Sequence, residues 1–359
     1  MGHVCGLLNR CGFLNICRLD SSEGKCLLSS APINAVRCFK TAILRKTRWR
    51  SQSSGPKPRI GPLNTEFEGV KVENGGPVQF SKLFKPLCFT FVISSGSFVC
   101  ATIWQYENVR ARAILLLKKP GGWDHGNLFV VKKHGTWRNH VNTWWNSLTE
   151  GQRLFFPICF VNCLVFLAWR VPRLQGIMVQ YFCSNPASRA VCWPMVLSTF
   201  SHYSAIHLLA NMFVLHSFLS GAVASLGKEQ FLGLYMSAGV ISSMSSYFHK
   251  SLIKKPGFSL GASGAIMCLL GYVCTEYPET KLTIIFLPLF TFPAAAAIKV
   301  IMAVDAAGVL LGWKFFDHAA HLGGAACGIT WSYWGNAYIW QKREPLLHWW
   351  HKLRGGSVK

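Results

Sequence analysis

Long apolar segments constrain this chain more than any other feature of its sequence. A helix that crosses a bilayer needs about 20 mainly apolar residues, and seven apolar segments approach that length. They cover residues 86–106, 154–169, 205–221, 230–248, 261–277, 282–304 and 318–333. With 51% hydrophobic and 14% charged residues, the chain is also too apolar for an ordinary soluble domain. The pattern predicts an all-α polytopic membrane protein in which one leading helix precedes six others, a 1+6 arrangement.

The net positive charge suggests a nucleic acid as a partner, but the placement of the basic residues argues against it. The chain has 37 Lys and Arg against 14 Asp and Glu, a net charge of +23. A charge of this size suits a nucleic acid, but the basic residues lie mostly outside the apolar segments and no nucleic-acid-binding motif accompanies them. Such charges are typical topology signals in a membrane protein. We therefore expect the lipid bilayer, and no nucleic acid, as a partner.

The chain divides into six predicted regions. Residues 1–60 are rich in Arg, Lys and Ser and poor in acids, and they predict a mitochondrial targeting presequence. A linker follows over 61–83, then an extra N-terminal transmembrane helix over 84–106 and a basic loop over 107–153. The predicted six-helix core covers 154–335, and a basic tail covers 336–359. Within the core, the stretch 170–204 is interrupted by prolines and predicts a re-entrant or interfacial loop.

Two considerations on orientation oppose each other. Import through a presequence leaves the start of the first span in the matrix, and seven crossings then leave the C-terminus in the intermembrane space. The positive-inside tendency draws the loop 107–153 and the basic tail toward the matrix instead. That tendency governs short loops best, so the import consideration is preferred.

Polar residues in three of the apolar segments predict a functional site, because an unsatisfied polar group in hydrocarbon is costly. His207 and Asn211 are four residues apart and share one helix face. Ser263 lies in a Gly-Ala-Ser-Gly run at the start of the fifth segment, and His321 lies near the start of the seventh.

Small residues predict that these last two segments pack closely. Gly324 and Gly328 follow His321 on its own helix face, and Gly261 and Gly264 flank Ser263. Glycine lets the backbones of membrane helices approach. The expectation is that Ser263 and His321 meet at hydrogen-bond distance; simple packing and helix capping are the alternative reading.

A serine and a histidine in contact favour nucleophilic catalysis. A hydroxyl becomes nucleophilic when a base takes its proton, and the oxyanion that forms needs hydrogen-bond donors aimed at it. His207, Asn211 and the backbone N–H of Ser263 are the candidate donors. The two acids nearest in sequence, Asp305 and Asp317, are assigned to loop ends. A Ser-His dyad is therefore predicted rather than a triad.

Ser259 is a competing nucleophile by pattern alone. It lies in Gly-Phe-Ser-Leu-Gly, which matches the nucleophile elbow of α/β hydrolases. That elbow works between a strand and a helix of a parallel sheet, and the sequence shows no such alternation. We expect Ser259 to lie in a loop without a catalytic role.

Alternatives from other classes stay open on these residues. His202, His207, Asp317, His318 and His321 could form the ligands of a metal-dependent membrane enzyme. A non-catalytic scaffold that binds transmembrane segments would keep the same packing. A transporter is disfavoured because no half-matching repeat is present.

The ordered motifs resemble the rhomboid family of intramembrane serine proteases, in its mitochondrial branch. They are His207-x-x-x-Asn211, Gly261-Ala-Ser263-Gly264 and Ala320-His321-x-x-Gly324-x-x-x-Gly328. The resemblance spans roughly residues 84–350. It implies Ser263 as nucleophile, His321 as general base, and His207 and Asn211 as oxyanion-stabilising residues. It also implies cleavage of single-pass inner-membrane proteins without metal or cofactor, and roles in mitochondrial quality control and apoptosis.

The chain departs from bacterial members of that family at two places. They usually carry a Tyr that supports the histidine one turn after the serine, where this chain has Met267. They often carry an acid near the end of the third segment, where this chain has Ala-Ser-Leu-Gly over 224–227. The first departure leaves open what orients His321. If the leading helix begins in the matrix, the resemblance implies an inverted core whose site opens toward the matrix.

Overall fold

A computed structural model describes residues 80–117, 135–284 and 287–355. The predicted presequence and nearly all of the predicted linker lie outside the described residues. The fold is mostly helical, as predicted, with a single two-stranded hairpin in the described part of the chain.

The helices and strands follow one another with short connections. Their bounds are α1 Phe84–Leu117, α2 Thr136–Ser147, α3 Glu150–Ala168, α4 Gln175–Phe182, α5 Trp193–Leu197, α6 Ala205–Leu226, α7 Lys228–Leu252, α8 Ser263–Glu276, β1 Lys281–Ile284, β2 Leu287–Pro293, α9 Ala294–Leu311, α10 His318–Thr330 and α11 Glu344–Leu353. Short 3-10 turns precede α1 and α4 and follow α5, and a π-helix, Trp331–Trp340, continues α10.

Four of the described helices are long and apolar enough to cross a membrane: α1 with its preceding turn, α3, α6 and α9. The others differ for identifiable reasons. Helix α7 is 25 residues long but carries many serines, most of them buried in the bundle. Helix α8 has only 14 residues. Both helices lie in the interior of the bundle. Most serines of α7 donate to carbonyls of α7 itself, and Ser243 donates to the Met195 carbonyl of α5.

The ends of the helices meet in two sets, which we call the Asp317 end and the Glu150 end. At the Asp317 end, Lys250 of α7 contacts Asp317, which directly precedes α10, and the Phe80 ring lies 5.8 Å from Phe248. At the Glu150 end, Lys228 contacts Glu150 and Asn108 contacts Glu229. Helix α1 therefore runs antiparallel to α7 and begins at the Asp317 end.

Glycines bring α8 and α10 into backbone contact. A Cβ atom added to Gly324 would overlap the Gly264 carbonyl, and one added to Gly328 would overlap the carbonyl of Cys268. In the other direction, a Cβ on Gly271 would lie 2.5 Å from the Ala325 carbonyl oxygen. The predicted approach of these two helices is thus seen. A Cβ on Gly264 itself would meet Ser242 of α7, so Gly264 lies against two helices.

The sixth predicted segment, 282–304, is wrong in its first half. Residues of that half form the antiparallel β1–β2 hairpin, and α9 begins only at Ala294, after Pro293. A continuous apolar run does not distinguish a helix from a strand, and the β-branched and aromatic residues here favour the strand.

The structure also differs from the prediction in the basic loop and the basic tail, which both contain helix. The predicted basic loop 107–153 begins with the last turns of α1 and contains α2. The predicted basic tail 336–359 contains α11, which lies against α1: Trp350 Nε1 donates a hydrogen bond of 2.8 Å to Glu107, and Arg354 pairs with the same carboxylate.

The contact between α8 and α10 predicts the effect of one methyl group. Gly328→Ala should lower stability by about 1–3 kcal/mol, because the new Cβ has no room against α8. Gly96→Ala on α1 is the matched control, since nothing lies within 4 Å of its added Cβ. Thermal unfolding in detergent measures both; equal melting temperatures for the two variants would contradict the contact.

Candidate functional site

Ser263 and His321 meet where α8 and α10 begin. Ser263 is the first residue of α8, and its Oγ lies 2.9 Å from His321 Nε2. His321 lies in the first turn of α10, where Asp317 caps the helix by accepting a hydrogen bond of 3.1 Å from the Ala320 amide. The glycine contacts further along the two helices hold their starts together. The distance between Ser263 Oγ and His321 Nε2 therefore follows from the packing of α8 on α10.

The loop before Ser263 is held at several points. Ser259 and Ser184 exchange two backbone hydrogen bonds of 2.8 and 2.9 Å, and the Gly261 amide donates 2.9 Å to the Ser198 carbonyl. The Ala262 amide donates 3.3 Å to Nε2 of His202. Burial, with the neighbouring His207 ring as a smaller cause, lowers the pKa of His202 to about 3, so the ring stays neutral and accepts this bond.

The His207 ring of α6 packs against the Gly261 backbone, close to Ser263. The Gly261 backbone has a φ of 126°, a conformation that favours glycine, and a Cβ there would lie 2.7 Å from His207 Cε1 and 3.8 Å from Ser263 Oγ. Gly261 was grouped with the helix-packing glycines by prediction, but it lies before α8 and makes room for this imidazole instead.

Asn211 lies one turn further along α6, buried on the side of His207. Its Nδ2 donates a hydrogen bond of 2.8 Å to the His207 carbonyl. An amide nitrogen carries two hydrogens, so one donor remains. The described contacts of Asn211 do not include Ser263.

Asp305 supplies an acid where none was expected. It lies inside α9 rather than at a loop end, and it is only 4% exposed. Its Oδ1 lies 3.2 Å from His321 Nδ1 and 2.6 Å from His318 Nδ1. The prediction that no acid accompanies the serine and histidine is therefore wrong. Its cause was the misplaced sixth segment, which put Asp305 just beyond a span.

An aromatic ring from another direction lies beside His321. The Phe316 ring centroid lies 5.8 Å from that of His321, with 32° between the planes. Met267, at the position where bacterial relatives have Tyr, is buried in the core formed by α8 and its neighbours. The His321 imidazole is thus contacted by Phe316, from the turn just before α10, and by Asp305 from α9.

A polar cluster at the Asp317 end was not predicted. Lys250 Nζ lies 2.9 Å from Asp317 Oδ2, and Ser246 and Ser259 both donate to that oxygen. Burial alone would raise the pKa of Asp317, but the Lys250 charge and the two serine hydrogen bonds outweigh it and hold the pKa well below its usual range. Ser259, expected to have no catalytic role, thus joins the loop to the capping residue of α10. Lys250 and Asp317 are 67 residues apart, and no local pattern links them.

The predicted metal ligands do not come together as a set. Asp317 pairs with Lys250, and His202 Nε2 accepts a hydrogen bond from the Ala262 amide. A different trio forms in the described residues: ligating atoms of Asp305, His318 and His321 lie within 4.8 Å of one another.

This fold and site define a family. A rhomboid domain matches residues 189–337, which include Ser263, His321, His207 and Asn211. Together with the relatives below, the match shows that the chain belongs to the rhomboid family.

The relatives include human presenilin-associated rhomboid-like protein, mitochondrial, with 50% identity over 334 residues, 90% of this chain and 88% of that protein. Zebrafish presenilin-associated rhomboid-like protein A, mitochondrial, is 45% identical over 77% of this chain and 76% of its own length. Yeast rhomboid protein 1, mitochondrial, is 30% identical over 58% and 60% respectively. With several helices suited to spanning a bilayer, this chain is a multi-pass mitochondrial membrane protein.

The Lys250 and Asp317 pair predicts an asymmetric effect on stability. Lys250→Met should lower stability by about 1–3 kcal/mol, because it leaves the Asp317 carboxylate largely buried without its cation. The loss should be smaller than for a fully buried pair, because both side chains keep some exposure. The double variant with Asp317→Asn should recover part of that loss. Unfolding midpoints in detergent test this, and a double variant no more stable than Lys250→Met would contradict it.

The lowered pKa of Asp317 also sets a pH dependence. A carboxylate whose folded pKa lies below its unfolded value contributes stability above the ordinary aspartate pKa, and this contribution is lost as pH falls through the folded pKa. Between neutral pH and about pH 5 the gap in stability between wild type and Asp317→Asn should therefore stay constant, and it should narrow in stronger acid. A gap that already closes above pH 5 would contradict the assignment.

Proposed function

We propose that this protein is an intramembrane serine protease of the mitochondrial inner membrane that cleaves single-pass transmembrane proteins. The observation that carries the proposal is the 2.9 Å separation of Ser263 Oγ and His321 Nε2 at two helix starts. Few structural roles need a serine and a histidine held on two glycine-packed helices with further donors beside them. Nucleophilic catalysis of acyl transfer needs a serine hydroxyl within hydrogen-bond reach of a base, with donors near the developing oxyanion.

In the proposed first step, Ser263 Oγ attacks the carbonyl carbon of the scissile peptide bond, and its proton passes to His321 Nε2. The C–O bond forms as the carbonyl π-bond opens to an oxyanion. When the intermediate collapses, the C–N bond breaks and His321 gives its proton to the leaving amine. His321 then deprotonates a water molecule, whose oxygen attacks the carbonyl carbon of the acyl-enzyme ester. When this second intermediate collapses, the C–O bond to Ser263 breaks, the new carboxyl terminus leaves, and His321 returns the proton to Ser263 Oγ.

Three candidate donors would stabilise the oxyanion. The Ser263 amide lies at the first position of α8, where the helix itself offers no acceptor. His207 lies across Gly261 from Ser263, and Asn211 lies one turn along α6. Donors fixed before the reaction stabilise developing charge without reorganisation.

The alternation of helix ends supports the 1+6 arrangement. Helices α1, α6, α8 and α10 begin at the Asp317 end, whereas α3, α7 and α9 begin at the Glu150 end. The site therefore lies at the end where α1 begins. If the N-terminal region enters the matrix, the site opens toward the matrix and the C-terminal helix α11 lies on the intermembrane-space side.

The substrates would be imported single-pass proteins of the inner membrane, and the proposed physiological roles are mitochondrial quality control and apoptosis. These roles follow from the family resemblance rather than from a contact in the site. The scissile peptide bond of a transmembrane segment must leave its helix to reach Ser263, and helix ends and residues of low helix propensity, such as glycine and proline, make this less costly.

A metal-dependent enzyme is a second candidate, carried by the trio of Asp305, His318 and His321. A metal there would occupy Nδ1 of the histidine whose Nε2 faces Ser263. That candidate predicts stoichiometric zinc in the purified protein and activity lost to chelators. A scaffold that binds transmembrane segments without cleaving them predicts binding without products.

Removal of either reacting group should abolish cleavage. Ser263→Ala and His321→Ala should each lower kcat by at least about 1,000-fold, because the proton transfer and the acyl-enzyme both disappear. Ser259→Ala is the matched control. It removes a hydroxyl four residues away and should lose about 1 kcal/mol of stability but retain cleavage.

The measurement is cleavage of a fluorescent single-span substrate by purified protein in detergent or liposomes. Full activity of Ser263→Ala would sink the proposal. Loss of activity in Ser259→Ala at a temperature where this variant is folded would show that Ser263 is wrongly assigned as the nucleophile.

The oxyanion donors predict a smaller effect. His207→Ala and Asn211→Ala should each lower kcat by about 10-fold to 1,000-fold with little change in KM, since the donors act on charge that develops in the transition state. Steady-state kinetics separate the two constants. A rise in KM with unchanged kcat would show instead that these residues bind the substrate in its ground state.

A further inference from the structure

The Asp305 carboxylate faces the side of His321 that Ser263 does not use. His321 presents Nε2 to Ser263 Oγ at 2.9 Å and Nδ1 to Asp305 Oδ1 at 3.2 Å. The serine, the imidazole and the carboxylate therefore form one line of contacts that crosses three helices, α8, α10 and α9.

The contact with Asp305 determines which nitrogen of the His321 imidazole carries the hydrogen. An ionised carboxylate only accepts hydrogen bonds, so the contact at Nδ1 requires the hydrogen to be on Nδ1 of His321. Nε2 of the neutral ring then carries the lone pair. This is the tautomer that can take a proton from Ser263, and the other tautomer cannot.

The setting of Asp305 shows that the contact is not incidental. An acid inside an apolar helix is costly unless it is paired, and Asp305 is the single acid of α9. Its oxygen is shared by Nδ1 of His318 at 2.6 Å. Gly308, one turn further along α9, makes room for this second ring, since a Cβ there would lie 2.5 Å from His318 Cδ2.

His318 has no other polar partner in the described residues: its Nε2 is buried without a hydrogen bond. Its one polar contact is therefore with Asp305, and it holds the carboxylate oxygen between the two rings of α10. This places the acid at a fixed point relative to His321.

We propose that Asp305 is a positioning residue that holds His321 in the reactive tautomer and stabilises the imidazolium formed when Ser263 gives up its proton. Asp305 remains ionised throughout and takes no proton itself. The proposal rests on the proposed function. It also accounts for Met267, because orientation of the histidine here depends on a carboxylate from α9 and the Phe316 ring rather than on an aromatic ring from α8.

Asp305→Asn tests the charge with almost no change of volume. The variant should lower kcat by at least about 100-fold with KM within about threefold of wild type, since the effect is on the transition state. Glu229→Gln is the matched control: it neutralises another buried carboxylate, one at the Glu150 end that contacts Asn108, and should leave kcat unchanged.

The outcomes separate this proposal from the one on which it rests. If Ser263→Ala and His321→Ala are inactive but Asp305→Asn keeps kcat within about threefold, the role of Asp305 is overturned and the protease assignment stands. A fall in kcat accompanied by a raised KM and a melting temperature below that of Glu229→Gln assigns Asp305 a merely structural role and also overturns it.

Nuclear magnetic resonance of the wild-type protein gives a readout that does not depend on the folding of Asp305→Asn. With ¹⁵N-labelled histidine, and His321→Ala used to assign the signals, His321 should show a protonated Nδ1 and an unprotonated Nε2 at neutral pH. The opposite tautomer would overturn the proposal even if Asp305→Asn could not be purified.

Discussion

The backbone contact between α8 and α10 is the interaction on which the site depends. Inside a bilayer, apolar surface gains little by moving from lipid to protein, so helices associate through close packing and hydrogen bonds. Gly324 and Gly328 remove the side chains that would hold α10 away from the carbonyls of Gly264 and Cys268. Because Ser263 and His321 each lie in the first turn of these helices, the separation of their side chains is set by that contact. The contact between Ser263 and His321 is thus a consequence of where glycine occurs on two helix faces.

Polar groups at the Asp317 end then fix what the packing brings together. Asp317 caps α10, pairs with Lys250 of α7 and accepts a hydrogen bond from Ser259 in the loop before Ser263. The same side chain therefore ties the helix that carries the histidine to the loop that carries the serine. A buried ion pair contributes little net stability but strongly disfavours arrangements that separate its partners. This restraint holds the starts of α8 and α10 in one arrangement.

The sequence allowed the main elements of this site to be predicted, and the misses have physical causes. Serine, histidine and their glycines were found because polar and small residues are conspicuous within apolar runs. The contact of Asp305 with His321 was missed because an apolar run such as that before Ala294 can form a strand or a helix. A helix placed too early puts Asp305 beyond its end. The pairs Lys250 with Asp317 and Glu107 with Trp350 join residues far apart in the chain, so only the packed helices show them.

The central claim is that Ser263 is an activated nucleophile, and covalent labelling by a mechanism-based serine reagent tests it most directly. Wild-type protein in detergent, treated with a fluorophosphonate and analysed by peptide mass spectrometry, should carry the label on Ser263. Labelling should disappear in His321→Ala, in which the base is gone but the hydroxyl remains. A wild-type protein that is folded yet unlabelled at Ser263, or that carries the label on Ser259 instead, would contradict the account.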